Sequence, residues 1–109
     1  MEILTEKNFC IITPLSPKLD KRQSTRLFDA IVENMGSQVG LDMDNVSDCT
    51  IDFIEMIMSF TNLNLYNIQS SIFALFCAMG IDKRANLYVS KEDFLSNNNR
   101  LLNRKFSIV

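Results

Sequence analysis

The residue types in this chain that could do chemistry lie together in one acidic stretch, "LDMDNVSDCTIDFIEMIM", residues 41–58. The stretch places four aspartates, Asp42, Asp44, Asp48 and Asp52, within eleven residues around the pair Cys49 and Thr50. No Lys or Arg occurs between Arg26 and Lys83, so the middle of the chain is acidic. Such groups can act as nucleophiles, hold a cation, or form an acidic surface that a partner recognises.

The catalytic and metal-binding interpretations of this stretch are the weaker ones. "DMDNV" (residues 42–46) resembles the first motif of haloacid-dehalogenase-type phosphatases, in which the first aspartate is a nucleophile and the second an acid/base beside magnesium. Those enzymes also need a downstream lysine and a further acidic pair, and this chain has no lysine between Lys21 and Lys83. A calcium loop starting at the same aspartate would need Gly and Glu where Ser47 and Phe53 stand. We expect no enzymatic activity, no metal ion and no cofactor, with such a phosphatase as the least favoured alternative.

The thiol of Cys49 is predicted to be unreactive. A helix N-terminus at this point would favour the thiolate by about 0.3–1 kcal/mol. The carboxylates of Asp48 and Asp52, at a separation of about 6 Å, would each oppose it by about 0.7–3 kcal/mol. Repulsion is the larger effect, so the neutral thiol should dominate at neutral pH.

Composition narrows the function classes further. The chain has 109 residues, 47% of them hydrophobic and 22% charged, which suits one compact domain over residues 1–109. The net charge of −2 gives no general attraction to nucleic acid, and without any His the usual general base and the commonest zinc ligand are missing. We expect no direct nucleic-acid binding.

Cysteine usage and apolar runs predict the compartment. The three cysteines, Cys10, Cys49 and Cys77, are odd in number and widely spaced, which is typical of a reducing compartment. The longest apolar run, Ile72 to Met79, is far shorter than the roughly 20 residues of a spanning helix, and "MEILTEKNF" lacks signal-peptide features. We expect a cytoplasmic protein without membrane insertion.

The first third of the chain predicts two strands and a helix. Strands over Glu2–Glu6 and Phe9–Thr13 are joined at "KN", and the helix that follows has Asp20 as N-cap, with Gln23 three residues on. Gly36 is expected to end the helix in the left-handed conformation. The apolar residues of this helix repeat at helical spacing and are expected to face the core: Leu27, Phe28, Ile31, Val32 and Met35.

A strand over residues 39–43 and a second helix follow, the helix capped by Ser47 or Asp48. A helical wheel of residues 50–61 places five residues on the inner side: Thr50, Phe53, Ile54, Ile57 and Met58. The opposite side carries Asp52, Glu55 and Ser59. Met56 lies on that acidic side, either as an ordinary exposed apolar residue or as a partner contact.

The rest of the chain continues the alternation. It predicts a strand over 63–68, a helix capped by Ser70 and ended by Gly80, a strand over 86–90, and a short helix, "KEDFL", capped by Ser90. The order β-β-α-β-α-β-α-β-α favours an α/β sheet with parallel pairs joined by right-handed crossovers. Residues 97–109 are expected to form a tail or an extra edge strand.

The order of these segments resembles the STAS domain of bacterial anti-sigma-factor antagonists along almost the whole chain. The segments that carry the resemblance are "LDKRQSTRLFDAI", "VGLDMDNVSDCTIDFIEMI", "LNLYNIQSSIFALFCAMGID" and "LYVSKEDFL". The resemblance implies a single STAS-like domain with a mixed sheet of about four to five strands and helices packed mainly on one face. It also implies signal transduction and transcription regulation through binding to an anti-sigma factor or related serine/threonine kinase-like protein.

The family's switch is a serine phosphorylated within Asp-Ser-Ser-Gly, and this chain departs from that motif. Asp48 takes the Asp position, Cys49 the modified serine, Thr50 the second hydroxyl and Ile51 the glycine. Either Thr50 is phosphorylated instead or the switch is lost, leaving a permanently binding-competent form. The resemblance also leaves open a role as a cytoplasmic subunit of a lipid or anion transport complex.

The partner surface is predicted at the start of the second helix. A basic partner is expected to dock on one acidic face, formed by Asp20, Asp48, Cys49, Thr50, Asp52 and Met56.

Overall fold

The computed structural model describes residues 1–96, and the predicted tail or edge strand at 97–109 lies outside them. In chain order its elements are β1 Glu2–Glu6, β2 Phe9–Thr13, β3 Lys18–Leu19, α1 Lys21–Glu33, β4 Gln38–Asp42, β5 Asp48–Cys49, α2 Ile51–Met58, β6 Asn64–Tyr66, α3 Ser70–Ala78, a 3₁₀ helix Ile81–Lys83, β7 Asn86–Leu87 and α4 Lys91–Leu95.

Five strands form a mixed sheet in the order β1-β2-β4-β6-β7. β1 and β2 are an antiparallel hairpin, and β2, β4, β6 and β7 are parallel. Each parallel step is to the neighbouring strand through one helix, and right-handed crossovers of this kind put successive helices on one face. The predicted α/β class and mixed sheet are confirmed.

The face covered by α1, α2 and α3 holds the main core. Alternate strand residues, among them Cys10, Ile12, Leu41 and Leu65, point to this face and join the buried residues of the three helices in one cluster. Phe53 of α2 contributes one of the largest fully buried side chains of this cluster. Burial of these apolar side chains is the main source of stability.

The opposite face is covered by α4. A smaller cluster there contains Ile11, Tyr66, Tyr88 and Phe94. The ring of Phe94 lies over Gly40, where an added Cβ would be 2.6 Å from the ring carbon Cε2. Gly40 is therefore needed for α4 to approach the sheet this closely.

The predicted helix caps are correct in part. The Asp20 carboxylate accepts the Gln23 N–H at 3.0 Å, and the Ser90 hydroxyl accepts the Asp93 N–H at 3.2 Å. Gly80 is left-handed, with φ of 77°. Ser70, predicted as a cap, is instead the first helical residue of α3.

The predicted end of α1 at Gly36 is wrong. The helix ends at Glu33, and Gly36 does not take a positive φ. The Asn34 side-chain amide donates to the Ala30 carbonyl at 2.7 Å, so one of the terminal carbonyls is satisfied by that amide.

The apolar stripe predicted for α1 divides between core and solvent. Leu27 and Ile31 are buried, but Phe28, Val32 and Met35 are 39%, 49% and 58% exposed. The row of apolar residues is wider than the contact of α1 with the sheet. Its exposed members, Phe28, Val32 and Met35, therefore lie outside that contact. No helix within residues 1–96 has the length and apolar character that crossing a bilayer requires.

Candidate functional site

A two-stranded parallel ladder, absent from the sequence prediction, builds the candidate site. β3 pairs with β5 so that Lys18 lies opposite Asp48 and Leu19 opposite Cys49. The residues that follow these pairs, Asp20 and Thr50, are the N-caps of α1 and α2. The ladder therefore sets the N-termini of the two helices side by side.

The loop before β5 is held to the chain before β3 by further hydrogen bonds. The N–H groups of Ser47 and Asp48 donate to the Pro17 carbonyl at 2.9 and 3.1 Å. The Ser47 hydroxyl donates to the same oxygen at 3.3 Å. The acidic stretch thus has a defined position relative to α1.

Neither Ser47 nor Asp48 caps α2, contrary to the sequence prediction. Because Asp48 and Cys49 are extended in β5, the helix starts later and Thr50 is its N-cap, without a side-chain cap bond. The Thr50 hydroxyl instead donates to the Leu19 carbonyl at 3.1 Å, beside the Thr50 N–H, which donates to the same oxygen at 3.0 Å. The Asp48 carboxylate accepts the N–H of Cys49 at 2.9 Å.

Cys49 is half-buried against the main core. Burial raises the pKa of its thiol above the ordinary value of 9.0, and the Asp48 carboxylate raises the pKa further. The direction agrees with the predicted unreactive thiol, although burial contributes more than the charge on which that prediction was based.

The helical wheel predicted Met56 on the exposed side of α2, and this prediction is wrong. The Met56 side chain is 8% exposed and belongs to the main core. α1 packs against α2 on this side, so the buried arc of α2 is wider than the face directed at the sheet. Met56 lies at the bottom of a groove of about 340 Å³ between the two helices, with Asp52, Glu55, Lys21 and Phe28 around it.

The structure thus brings the predicted residues together in two groups. Asp20, Asp48, Cys49 and Thr50 surround the β3–β5 ladder, and Asp52 and Met56 line the adjoining groove. Asp20 and Asp48 are exposed, while Cys49, Thr50 and Asp52 are half-buried.

Two exposed apolar residues beside these groups were not identified from the sequence as candidate contact residues. Ile51, 53% exposed, begins α2, and Phe28 lies on α1 with its ring 5.3 Å from that of Phe60. A helical wheel of α1 carries the signal for Phe28, because Phe28 lies about 100° around the helix from Leu27. The extended conformation of Asp48 and Cys49 has no comparable signal.

Asp42 and Asp44 lie apart from this surface, at the carboxyl end of the sheet. Asp42 Oδ1 accepts the Asp44 N–H and the Asn67 amide, each at 3.1 Å. The Gln69 amide donates to the Asp44 carbonyl at 3.2 Å. These bonds connect the ends of β4 and β6, so the Asp42 carboxylate has a structural role, whereas Asp44 takes part through its backbone. In the described part of the chain, no group of three potential metal ligands lies together.

No protein-family model matches the sequence, and the search of curated proteins gives no match either. Any functional conclusion therefore depends on the residues and geometry above.

Proposed function

We propose that this chain is a non-enzymatic protein-binding module of the anti-sigma-factor-antagonist type, and that it acts in cytoplasmic partner switching. Its partner is an anti-sigma factor or a related serine/threonine kinase-like protein. The partner docks where the N-termini of α1 and α2 meet. We call this the helix-start surface and define it by Asp20, Asp48, Thr50, Ile51 and Asp52.

The observation that carries this proposal is the β3–β5 ladder. Its two short strands lie outside the main sheet and hold two helix N-termini in one fixed arrangement. Interfaces are stronger when their contact groups are already ordered, because less conformational entropy is lost on binding. A rigid pair of helix starts is therefore suited to recognition.

The chemistry of the surface favours a partner with basic and apolar groups. Three acidic residues, Asp20, Asp48 and Asp52, belong to it, and Glu55 lies in the adjoining α1–α2 groove. Lys18 and Lys21 offset only part of this negative charge. Ile51 and Phe28 supply apolar area beside them. Charge complementarity would direct the encounter, and the apolar residues would be the centre of the contact.

Thr50 is the candidate switch residue. Its hydroxyl donates to the Leu19 carbonyl, and phosphorylation would remove that donor. A phosphate carries a charge of about −1.5 to −2, which would be placed between Asp48 and Asp52. The free N–H groups at the start of α2 can donate hydrogen bonds to the phosphate oxygens, but the added negative charge would change the surface that a partner meets.

Recovery of the partner from a native lysate tests the surface. Asp52→Lys reverses a half-buried charge in the α1–α2 groove, and we expect it to reduce recovery at least about tenfold relative to the unchanged chain. Glu6→Lys is the matched control, because it makes the same charge change on the exposed β1 strand. Met56→Asp is not a suitable variant, since it would put a carboxylate into the core.

The identity of the recovered protein decides which function the recovery experiment supports. A kinase-like anti-sigma protein that binds the Glu6→Lys variant but not Asp52→Lys supports the proposal. Equal recovery by both variants, with both folded by circular dichroism, removes this surface from consideration. A permease or transport ATPase as the dependent partner would support the alternative function, a cytoplasmic subunit of a lipid or anion transport complex.

Phosphorylation is tested separately by intact mass after incubation with ATP and the same lysate. We expect the mass of one phosphate to be added to the unchanged chain and not to Thr50→Val. Thr25→Val is the control, because Thr25 is an exposed threonine whose hydroxyl also donates to a carbonyl, that of Lys21 at 3.0 Å. If no phosphate is added to any of the three, the surface lacks this switch and the chain is a constitutive binder.

A further inference from the structure

A cavity on the α4-covered face of the sheet is independent of the helix-start surface. Its volume is about 480 Å³, and it lies where β1, β2, β4 and β6 meet the start of α4. One wall is apolar, with Leu4 and Ile11. The other walls carry polar side chains, which is the combination that small-molecule sites use for affinity and orientation.

Tyr66 gives this cavity a buried polar group without a partner. The residue is 0% exposed, its ring stacks on Phe94 at a centroid distance of 5.7 Å, and its hydroxyl makes no hydrogen bond to any group within residues 1–96. Burial raises the pKa of Tyr66, and the Asp42 and Glu92 carboxylates raise it further, so the phenol keeps its proton and can donate it. An unsatisfied buried hydroxyl costs stability, and its presence calls for an explanation.

Two side chains of opposite charge line the same cavity. Lys91 has no ion pair or side-chain hydrogen bond within residues 1–96. Both hydrogen bonds that the Asp42 carboxylate accepts in this range go to Oδ1, which leaves Oδ2 for another donor. Glu2 adds a second carboxylate at the exposed side.

We propose that this cavity binds a free α-amino acid with an aliphatic side chain. The ligand carboxylate would accept from the Lys91 ammonium group and from the Tyr66 hydroxyl, which the lining side chains have to uncover by a small movement because it is fully buried in the free structure. The ligand ammonium group would donate to Asp42 Oδ2, and the aliphatic side chain would pack on Leu4 and Ile11. An amino acid of this class combines in one small molecule the negative, positive and apolar groups that the cavity complements.

Isothermal titration with L-leucine tests the site on the full chain. We expect a Kd of about 1 mM or tighter. Two analogues test the two charged groups of leucine separately: 4-methylpentanoate lacks the ammonium group and 3-methylbutylamine lacks the carboxylate. Each should bind at least about tenfold more weakly, because each leaves one charged side chain of the cavity without its partner. Equal binding by either analogue would overturn the assignment, as would no binding of leucine.

Tyr66→Phe separates ligand binding from stability. Because the hydroxyl has no partner within residues 1–96, the variant should melt at the same or a higher temperature without ligand. Leucine should raise the melting temperature of the unchanged chain and raise that of Tyr66→Phe much less. If the free variant melts lower, the hydroxyl is already satisfied, for instance by a buried water, and the proposal fails.

Lys91→Met provides the second variant, with Lys83→Met as its control. Lys83 is exposed in the 3₁₀ helix and does not line the cavity. We expect Lys91→Met to weaken leucine binding at least about tenfold and Lys83→Met to leave it unchanged. Equal effects of the two substitutions would show that the lysine acts only through net charge, which would contradict the site.

Discussion

The two faces of the sheet are built in different ways. The face under α1, α2 and α3 is filled almost entirely by aliphatic and aromatic side chains in one continuous cluster. In the described part of the chain, residues 1–96, the face under α4 is covered by a helix of five residues, has a cluster of four buried residues, and borders a cavity beside the unpartnered Tyr66 hydroxyl.

The difference separates stability from recognition. A close-packed apolar face leaves little space for a ligand between sheet and helices, so contacts with other molecules on this side fall at the helix N-termini and on the outer surface of the helices. Within residues 1–96 the α4 face leaves polar groups uncovered, because the five residues of α4 cannot cover five strands. We therefore expect macromolecular contact at the edge of the first face and small-molecule contact on the second.

The largest expected effect is a difference in stability between matched phenylalanine substitutions on the two faces. Phe53 is fully buried and stacks on Phe76 at 6.1 Å, so Phe53→Ala should lower the free energy of unfolding by about 3–5 kcal/mol. Phe94→Ala should cost less, near 2–3 kcal/mol, because the short α4 can move and reduce the space left behind. Urea unfolding measures both. Equal costs would mean that α4 is as firmly fixed as the main core.

The close contact between α4 and the sheet gives the next largest effect. In Gly40→Ala the new Cβ would lie 2.6 and 2.9 Å from two carbons of the Phe94 ring, so the ring has to move. We expect a loss of about 1–3 kcal/mol from overpacking, offset by about 0.5–1 kcal/mol from replacing a strand glycine. Thermal or urea unfolding measures the net loss.

Two further variants identify the source of that loss. In a Phe94→Leu background, Gly40→Ala should cost less, and the double-mutant cycle gives the coupling directly. Gly36→Ala is the control, because nothing lies within 4 Å of its added Cβ and its φ is not positive. The control should be neutral or slightly stabilising. No coupling between Gly40 and Phe94 would contradict the packing described here.

Much of the fold was predictable because hydrophobic periodicity reports local burial. The apolar run of β2, the alternation of Val39 and Leu41 in β4, the Asp20 cap and the Gly80 turn all depend on residues within a few positions of each other. Predicted strands were too long where pairing, rather than composition, set their ends. Residues 86–90 read as a strand, yet β7 is only Asn86–Leu87.

The candidate site was less predictable because its geometry depends on distant segments. The β3–β5 ladder joins residues 18–19 to 48–49, and two-residue strands have no periodicity to detect. Met56 is buried in the main core and borders the groove between α1 and α2, and the presence of α1 there is something a wheel of α2 alone cannot indicate. The sequence indicates where Phe28 lies around α1, but it does not indicate how wide the contact of α1 with the sheet is.

A smaller effect tests the bond between the two helix starts. Thr50→Val removes the hydroxyl that donates to the Leu19 carbonyl and keeps the β-branched shape. The carbonyl still accepts the Thr50 N–H, so no acceptor is left unsatisfied, and we expect a loss of only about 0.5–1.5 kcal/mol. Thr50→Ser, which keeps the hydroxyl, should recover most of it in urea unfolding. A loss in Thr50→Ser as large as in Thr50→Val would assign the effect to packing of the methyl group.

The smallest expected effect distinguishes the edge of the helix-covered face from its interior by thiol reactivity. The folded pKa values of Cys49 and Cys10 both lie above 9.0, so the thiolate that reacts with iodoacetamide forms at higher pH than in a free thiol. We expect labelling in the order free cysteine, then half-buried Cys49, then fully buried Cys10, with the differences lost in urea.

Asp48→Asn should lower the pKa of Cys49 and speed its labelling by less than about tenfold, because burial is the larger cause of the shift. Asp44→Asn is the control and should leave the rate unchanged. Faster labelling of Cys10 than of Cys49 would place the more accessible thiol inside the packed face, and the contrast between edge and interior would not hold.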